Sequence, residues 1–129
     1  MNNTKFTVGQ EVVLKIIAGS NHYRSLPKEA NGKPDILKRL IPTTVESVGR
    51  KYITVDYGDI KFDIADEYRQ TSSYSAEYEL YESAKDAIDA DTLESLWDKF
   101  RRTVSEKYKC PISLDKLERI LEIFTEEWL

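Results

Sequence analysis

A chain of 129 residues with 33% charged side chains and a net charge of −4 has room for one modest hydrophobic core, not two independent ones. Its single cysteine, Cys110, excludes an intrachain disulfide and predicts a reducing, intracellular setting. The N-terminus lacks the apolar core of a signal peptide, and the most apolar run, residues 12–18, is interrupted by Lys15, so a soluble cytosolic protein is expected. Total charge hides a division: residues 1–53 carry 9 basic and 4 acidic side chains (+5), residues 54–99 carry 4 and 13 (−9), and residues 100–129 carry 6 and 6. Such polarity suits a phosphate-contacting patch at one end and an acidic patch for a cationic partner in the middle, or simply solvated faces.

Phe6-Thr7-Val8-Gly9 leads into the first predicted strand, residues 10–17, where Val12, Leu14 and Ile16 point one way and Val13 and Ile17 the other, as in a strand covered on both sides. Residues 18–40 lose all periodicity and gather Gly19, Pro27, Gly32 and Pro34 among Arg24, Lys28, Lys33, Lys38 and Arg39. They predict a long basic loop, functional or disordered, with no apolar anchor before Ile36, Leu37 and Leu40. A second strand is expected over residues 42–48, with a turn at Gly49-Arg50-Lys51. The clearest alternation follows. Ile53, Val55 and Tyr57 share a face with Ile60, Phe62 and Ile64 across a two-residue Gly58-Asp59 loop, pairing Tyr57 with Ile60, Val55 with Phe62, Ile53 with Ile64 and Asp56 with Lys61. A polar, Ser-rich connection precedes a short fifth strand at Tyr78-Glu79-Leu80-Tyr81. Five short antiparallel strands predict a small barrel within residues 1–82.

From Ser83 the period changes to 3.6. Ser83 or Asp91 can cap a helix whose stripe is Leu93, Leu96, Trp97, Phe100 and Val104, and whose last turn carries Arg101 and Arg102. Pro111 blocks continuation, and Ser113 can cap a second helix with Leu114, Leu117, Leu121, Phe124 and Trp128 on one side. The two stripes suit a helical hairpin over residues 83–129, packed on the barrel or forming an interface; a homodimer through Trp128 is one option. The expected class is α+β: a five-stranded antiparallel barrel followed by two helices.

Four segments resemble small-barrel proteins of phages and mobile elements of Gram-positive bacteria. These are Phe6-Thr7-Val8-Gly9-Gln10-Glu11-Val12, Val48-Gly49-Arg50-Lys51-Tyr52, Lys61-Phe62-Asp63-Ile64 and Tyr74-Ser75-Ala76-Glu77-Tyr78-Glu79-Leu80-Tyr81. The resemblance covers residues 6–81 and implies a barrel of the Src-homology or Tudor kind, with no activity attached. The basic loop and the two amphipathic helices depart from the usual short loop and charged tail.

Catalytic signals are absent. His22, the only histidine, sits in the irregular loop, and Cys110 has neither metal-ligand spacing nor an activating partner. Ser113-Leu114-Asp115-Lys116 reads as a helix cap. The scattered glycines form no phosphate-binding loop and the carboxylates no calcium loop, so no enzyme, cofactor or metal is expected. Two recognition surfaces remain. One is acidic, with Glu77, Glu79, Glu82, Asp86 and Asp89 beside Tyr74 and Tyr78 in a tyrosine-rich stretch that suits a protein partner; in the phage or mobile-element setting that the resemblance implies, it would bind a host protein and block a defence or nucleic-acid-handling complex in the manner of an anti-CRISPR protein. The other would bind RNA or DNA directly through Arg24, Lys28, Lys33, Lys38, Arg39, Arg50, Lys51 and Tyr52.

Overall fold

The computed structural model describes residues 5–72 and 75–128, the side chains of Glu127 and Trp128 excepted. The chain divides into two compact units, Met1–Leu93 and Glu94–Leu129. The first contains six strands, β1 (Glu11–Ile16), β2 (Leu40–Val48), β3 (Tyr52–Val55), β4 (Lys61–Asp63), β5 (Arg69–Gln70) and β6 (Tyr78–Tyr81), and a short helix α1 (Asn21–Ser25). Each strand pairs antiparallel with the next and β6 returns to β1, closing the barrel. Helix α2 (Ala84–Ser105) begins in this unit and ends in the second, which also holds α3 (Leu114–Trp128).

Six strands replace the expected five. The extra one, β5, is two residues long, too short to carry any alternation, and it follows Asp66-Glu67-Tyr68, where Glu67 and Tyr68 take left-handed φ values of 53° and 58°. Its junction with β6 is completed by a side chain: Gln70 Oε1 accepts the Glu77 and Tyr78 N–H groups at 2.8 and 2.9 Å.

The β3–β4 hairpin also departs from its expected register. Ile53 pairs with Phe62, Tyr52 with Asp63 and Thr54 with Lys61, two places from the register a Gly58-Asp59 loop would set. Residues 56–60 form a longer loop around a 3-10 turn, in which Asp59 takes a φ of 51° and the Val55 N–H reaches Ile60 O at 3.0 Å. Because side chains alternate with a period of two, a slip of two leaves every face unchanged. Ile53, Val55 and Phe62 still point inward and are fully buried, whereas Tyr57 moves to the rim at 38% exposure.

The core consists of Phe6, Val12, Leu14, Ile16, Val45, Ile53, Val55, Phe62 and Tyr78. In β2 the inward parity changes partway: Val45 faces Val55, but Val48 faces Ile53, because the ladder shifts between Val45 and Ser47. A bulge at Glu46 supplies the extra residue and bends the strand as closure requires.

The basic loop is ordered. Ser20 caps α1, Tyr23 and Leu26 pack against the core, Pro34 is buried, and Asp35 opens a 3-10 turn over Ile36–Arg39. Apolar anchoring thus starts at Tyr23, well before Ile36. Ser83, not Asp91, caps α2 through the Asp86 N–H at 3.1 Å.

In the second unit Trp97 stacks on Phe100 and on Phe124, with centroids 5.9 and 6.0 Å apart. Leu121, expected within a packed stripe, remains 54% exposed. No described helix is long and apolar enough to cross a membrane.

Val55→Asp places a carboxylate in the closed barrel opposite Val45. It is expected to cost about 3–5 kcal/mol against a total stability of about 5–15 kcal/mol, which thermal denaturation would register as a large fall in melting temperature.

Candidate functional site

Charge on the outer face of the barrel is organised by strand pairing. Lys15 of β1 lies opposite Glu79 of β6, Glu79 opposite Arg69 of β5, Arg69 opposite Asp63 of β4, and Asp63 opposite Tyr52 of β3. Opposite charges therefore alternate around four strands and end on an aromatic ring. Directly opposed charges of unlike sign stabilise a sheet, so this row is first of all architecture. Its anchor is Lys15, which the sequence presents as an interruption of an apolar strand. It is 2% exposed, with its Nζ 3.1 Å from Glu79 Oε1 and 5.5 Å from the Tyr81 ring centre.

The acidic candidates are partly neutralised within the chain. Glu79 meets Lys15, Glu82 meets Lys5 at 3.6 Å, and Asp89 meets Lys85 at 2.7 Å, a hydrogen bond that raises the Lys85 pKa. Glu77 is half-buried at the Gln70 junction, and Asp86 is exposed at the start of α2. Tyr78 does not belong to a recognition rim. It is a core residue, 8% exposed, whose hydroxyl lies 2.7 Å from His22 Nδ1; burial first, then the neighbouring Tyr57, pushes its pKa well above 10. Tyr74 lies outside the described residues. The same contact corrects the reading of His22, which is held on α1 against the barrel with its ring edge-on to Tyr78 at 5.7 Å.

Among the basic candidates, Arg39 has a structural task. Its Nε and Nη2 donate to Ile16 O at 3.0 and 2.8 Å, its Nη1 meets Asp91 at 3.0 Å, and its guanidinium lies 5.1 Å from the Tyr23 ring centre. Arg24, Lys28, Lys33 and Lys38 are exposed along the loop. The geometry assembles a different group at the β2–β3 turn. Lys51 Nζ lies 5.3 Å and Lys61 Nζ 6.0 Å from the Tyr52 ring centre, with Arg50 exposed beside them. Lys61 reaches Tyr52 because it occupies the diagonal position across β3 and β4, a relation that only the true register reveals. None of Arg50, Lys51 and Lys61 has a carboxylate partner among the described residues.

The opposite end of β3 is acidic. Glu46, at the bulge, lies beside Asp59, whose hydrogen bond and charge, with a smaller contribution from Asp56, raise the Glu46 pKa above its ordinary 4.5. The barrel is thus polarised along β3, cationic at Arg50-Lys51 and anionic at Asp56 and Asp59.

Two substitutions test these assignments. Lysine cannot bridge Ile16 O and Asp91 as the planar guanidinium does, so Arg39→Lys is expected to cost about 2 kcal/mol in denaturant unfolding. For Glu46 the native state binds the proton more tightly than the unfolded chain, so its contribution to stability is present below pH 4.5 and is lost as pH rises through the raised native value. Glu46→Gln should therefore melt above the parent at about pH 7 and lose that advantage below about pH 4.

Comparison with known proteins agrees with a phage barrel. No curated protein and no solved structure matches the chain. Residues 1–127 match the phage ProQ C-terminal-like domain, so the match spans the barrel and both helices. The chain belongs to the phage ProQ C-terminal-like domain family.

Proposed function

We propose that this domain is a non-catalytic binding module that recognises single-stranded nucleic acid through Arg50, Lys51, Tyr52 and Lys61. The observation that carries the reading is the cation-flanked Tyr52 ring at 5.3 and 6.0 Å from two lysines that have no carboxylate partner among the described residues. An aromatic ring offers a stacking platform to an unpaired base while the ammonium and guanidinium groups meet the adjoining phosphates. A net charge of −4 and an isoelectric point near 5.1 argue against broad attraction to duplex DNA, so recognition rests on this local group. In the same proposal the barrel is of the Src-homology or Tudor kind and works in the cytosol of a Gram-positive host.

A second assignment has the −9 segment bind a basic host protein and inhibit a defence complex through Glu77, Glu79, Glu82, Asp86 and Asp89. Exposed Asp86 favours it, and the pairing of Glu79, Glu82 and Asp89 with lysines weakens it.

Titration of labelled single- and double-stranded oligonucleotides by fluorescence anisotropy separates the two. Three phosphate contacts predict a slope of about −2 for log K against log salt on single strands. Tyr52→Ala and the Lys51→Ala/Lys61→Ala pair should each weaken binding about tenfold or more, and reversing Glu82 and Asp86 should not weaken it. Absence of binding, or binding indifferent to Tyr52, Lys51 and Lys61, would overturn this proposal in favour of the acidic surface.

A further inference from the structure

Helix α3 is apolar over more of its circumference than one neighbour can cover. With 3.6 residues per turn, Leu114, Leu117, Leu121 and Phe124 form one stripe, and Ile120 and Ile123 widen it to an arc of about 180°. Within the unit Glu94–Leu129, α2 meets the middle of this arc, where Phe124 stacks on Trp97 and where Leu117 and Phe124 are the half-buried residues of α3. Within this unit α2 covers neither flank: Leu114 and Leu121 are 71% and 54% exposed on one side, Ile120 and Ile123 38% and 54% on the other. Towards the connection between the helices lies an apolar groove of about 530 Å³, lined by Phe100, Val104, Ile112, Leu117, Leu121 and Phe124. A helix facing one side of a core needs an apolar stripe about 100° wide, so the arc on α3 exceeds what contact with α2 alone requires and suits a place between two neighbours, as in a four-helix bundle.

Charge identifies the missing neighbour. Residues 94–109 carry 5 basic and 3 acidic side chains (+2), and residues 114–128 carry 2 and 5 (−3). A two-fold interface sets each patch against its counterpart on the other copy, so one copy's acidic helix can meet the other's basic segment twice over. Packing α3 on α3 would instead oppose like charges. We infer that the unit Glu94–Leu129 pairs with a second copy of this chain in a four-helix bundle, each α3 lying between its own α2 and the partner's. Lys107 and Lys109, which line the groove, then face acidic Asp115 and Glu118 of the second copy. The pairing uses no residue of the Tyr52 group and is independent of what the barrel binds.

Sedimentation or light scattering of the full chain from about 1 to 500 µM tests the inference. The expected mass rises from 15.0 kDa to about 30 kDa and stops there, as a closed interface requires. Leu121→Glu changes an exposed position and should weaken association at least about tenfold, with the circular dichroism of the chain retained. Lys107→Glu/Lys109→Glu and Asp115→Lys/Glu118→Lys should each weaken self-association as well, and mixing the two variants should restore a dimer, because only the mixed pair opposes unlike charges throughout. A mass of 15.0 kDa at every concentration, growth beyond two copies, a dimer indifferent to Leu121→Glu, or a mixture that stays monomeric would each overturn it.

Discussion

The first unit depends on one guanidinium. Arg39 sits at the end of the segment that separates β1 from β2, donates twice to the last carbonyl of β1, lies against Tyr23 and reaches Asp91 of α2. One planar, permanently charged group thereby joins a strand end, a loop and a helix. Its side chain is 11% exposed, so its hydrogen bonds form where water competes weakly, and a partner left alone there would carry a substantial desolvation cost. Ordering a long connection is opposed by conformational entropy. Here that cost is met by Tyr23, Leu26 and Pro34 on the apolar side and by Arg39 on the polar side.

Residues whose role follows from local pattern were legible in the sequence. Ile53, Val55 and Phe62 declare the inner face by alternation, and that face is the same in the register of a two-residue loop and in the observed one because the two differ by an even number of residues. The helices were legible through their stripes, their Ser caps and Pro111. What escaped was set by closure. β5 exists because β4 and β6 must be joined, and two residues carry no period. Glu46 is a bulge because the barrel has to bend. Lys15 is buried because Glu79 and Tyr81 arrive from the far end of the unit.

The candidate surfaces were legible only as composition. Counting charge along the chain identifies a basic and an acidic segment but cannot say which charges are already engaged. Strand pairing sends Lys15 to Glu79, and side-chain packing sends Arg39 to Asp91, removing members from both lists. It also draws in Lys61, which lies in the acidic segment of the sequence and beside a basic turn in space. The helices present the complementary case: their apolar stripes were visible, while the extent that α2 and α3 leave uncovered within their own unit was not.

Return of β6 to β1 has a consequence for how this domain can meet anything else. A sheet with a free edge can recruit an extended peptide by main-chain hydrogen bonding, a mode largely indifferent to side chains. A closed barrel offers no such edge, so strand donation by a partner would first require one of its own ladders to open. Recognition by the barrel is thereby confined to side chains on its outer wall and turns, where single substitutions can alter selectivity while the inward-facing half of each strand continues to specify the fold.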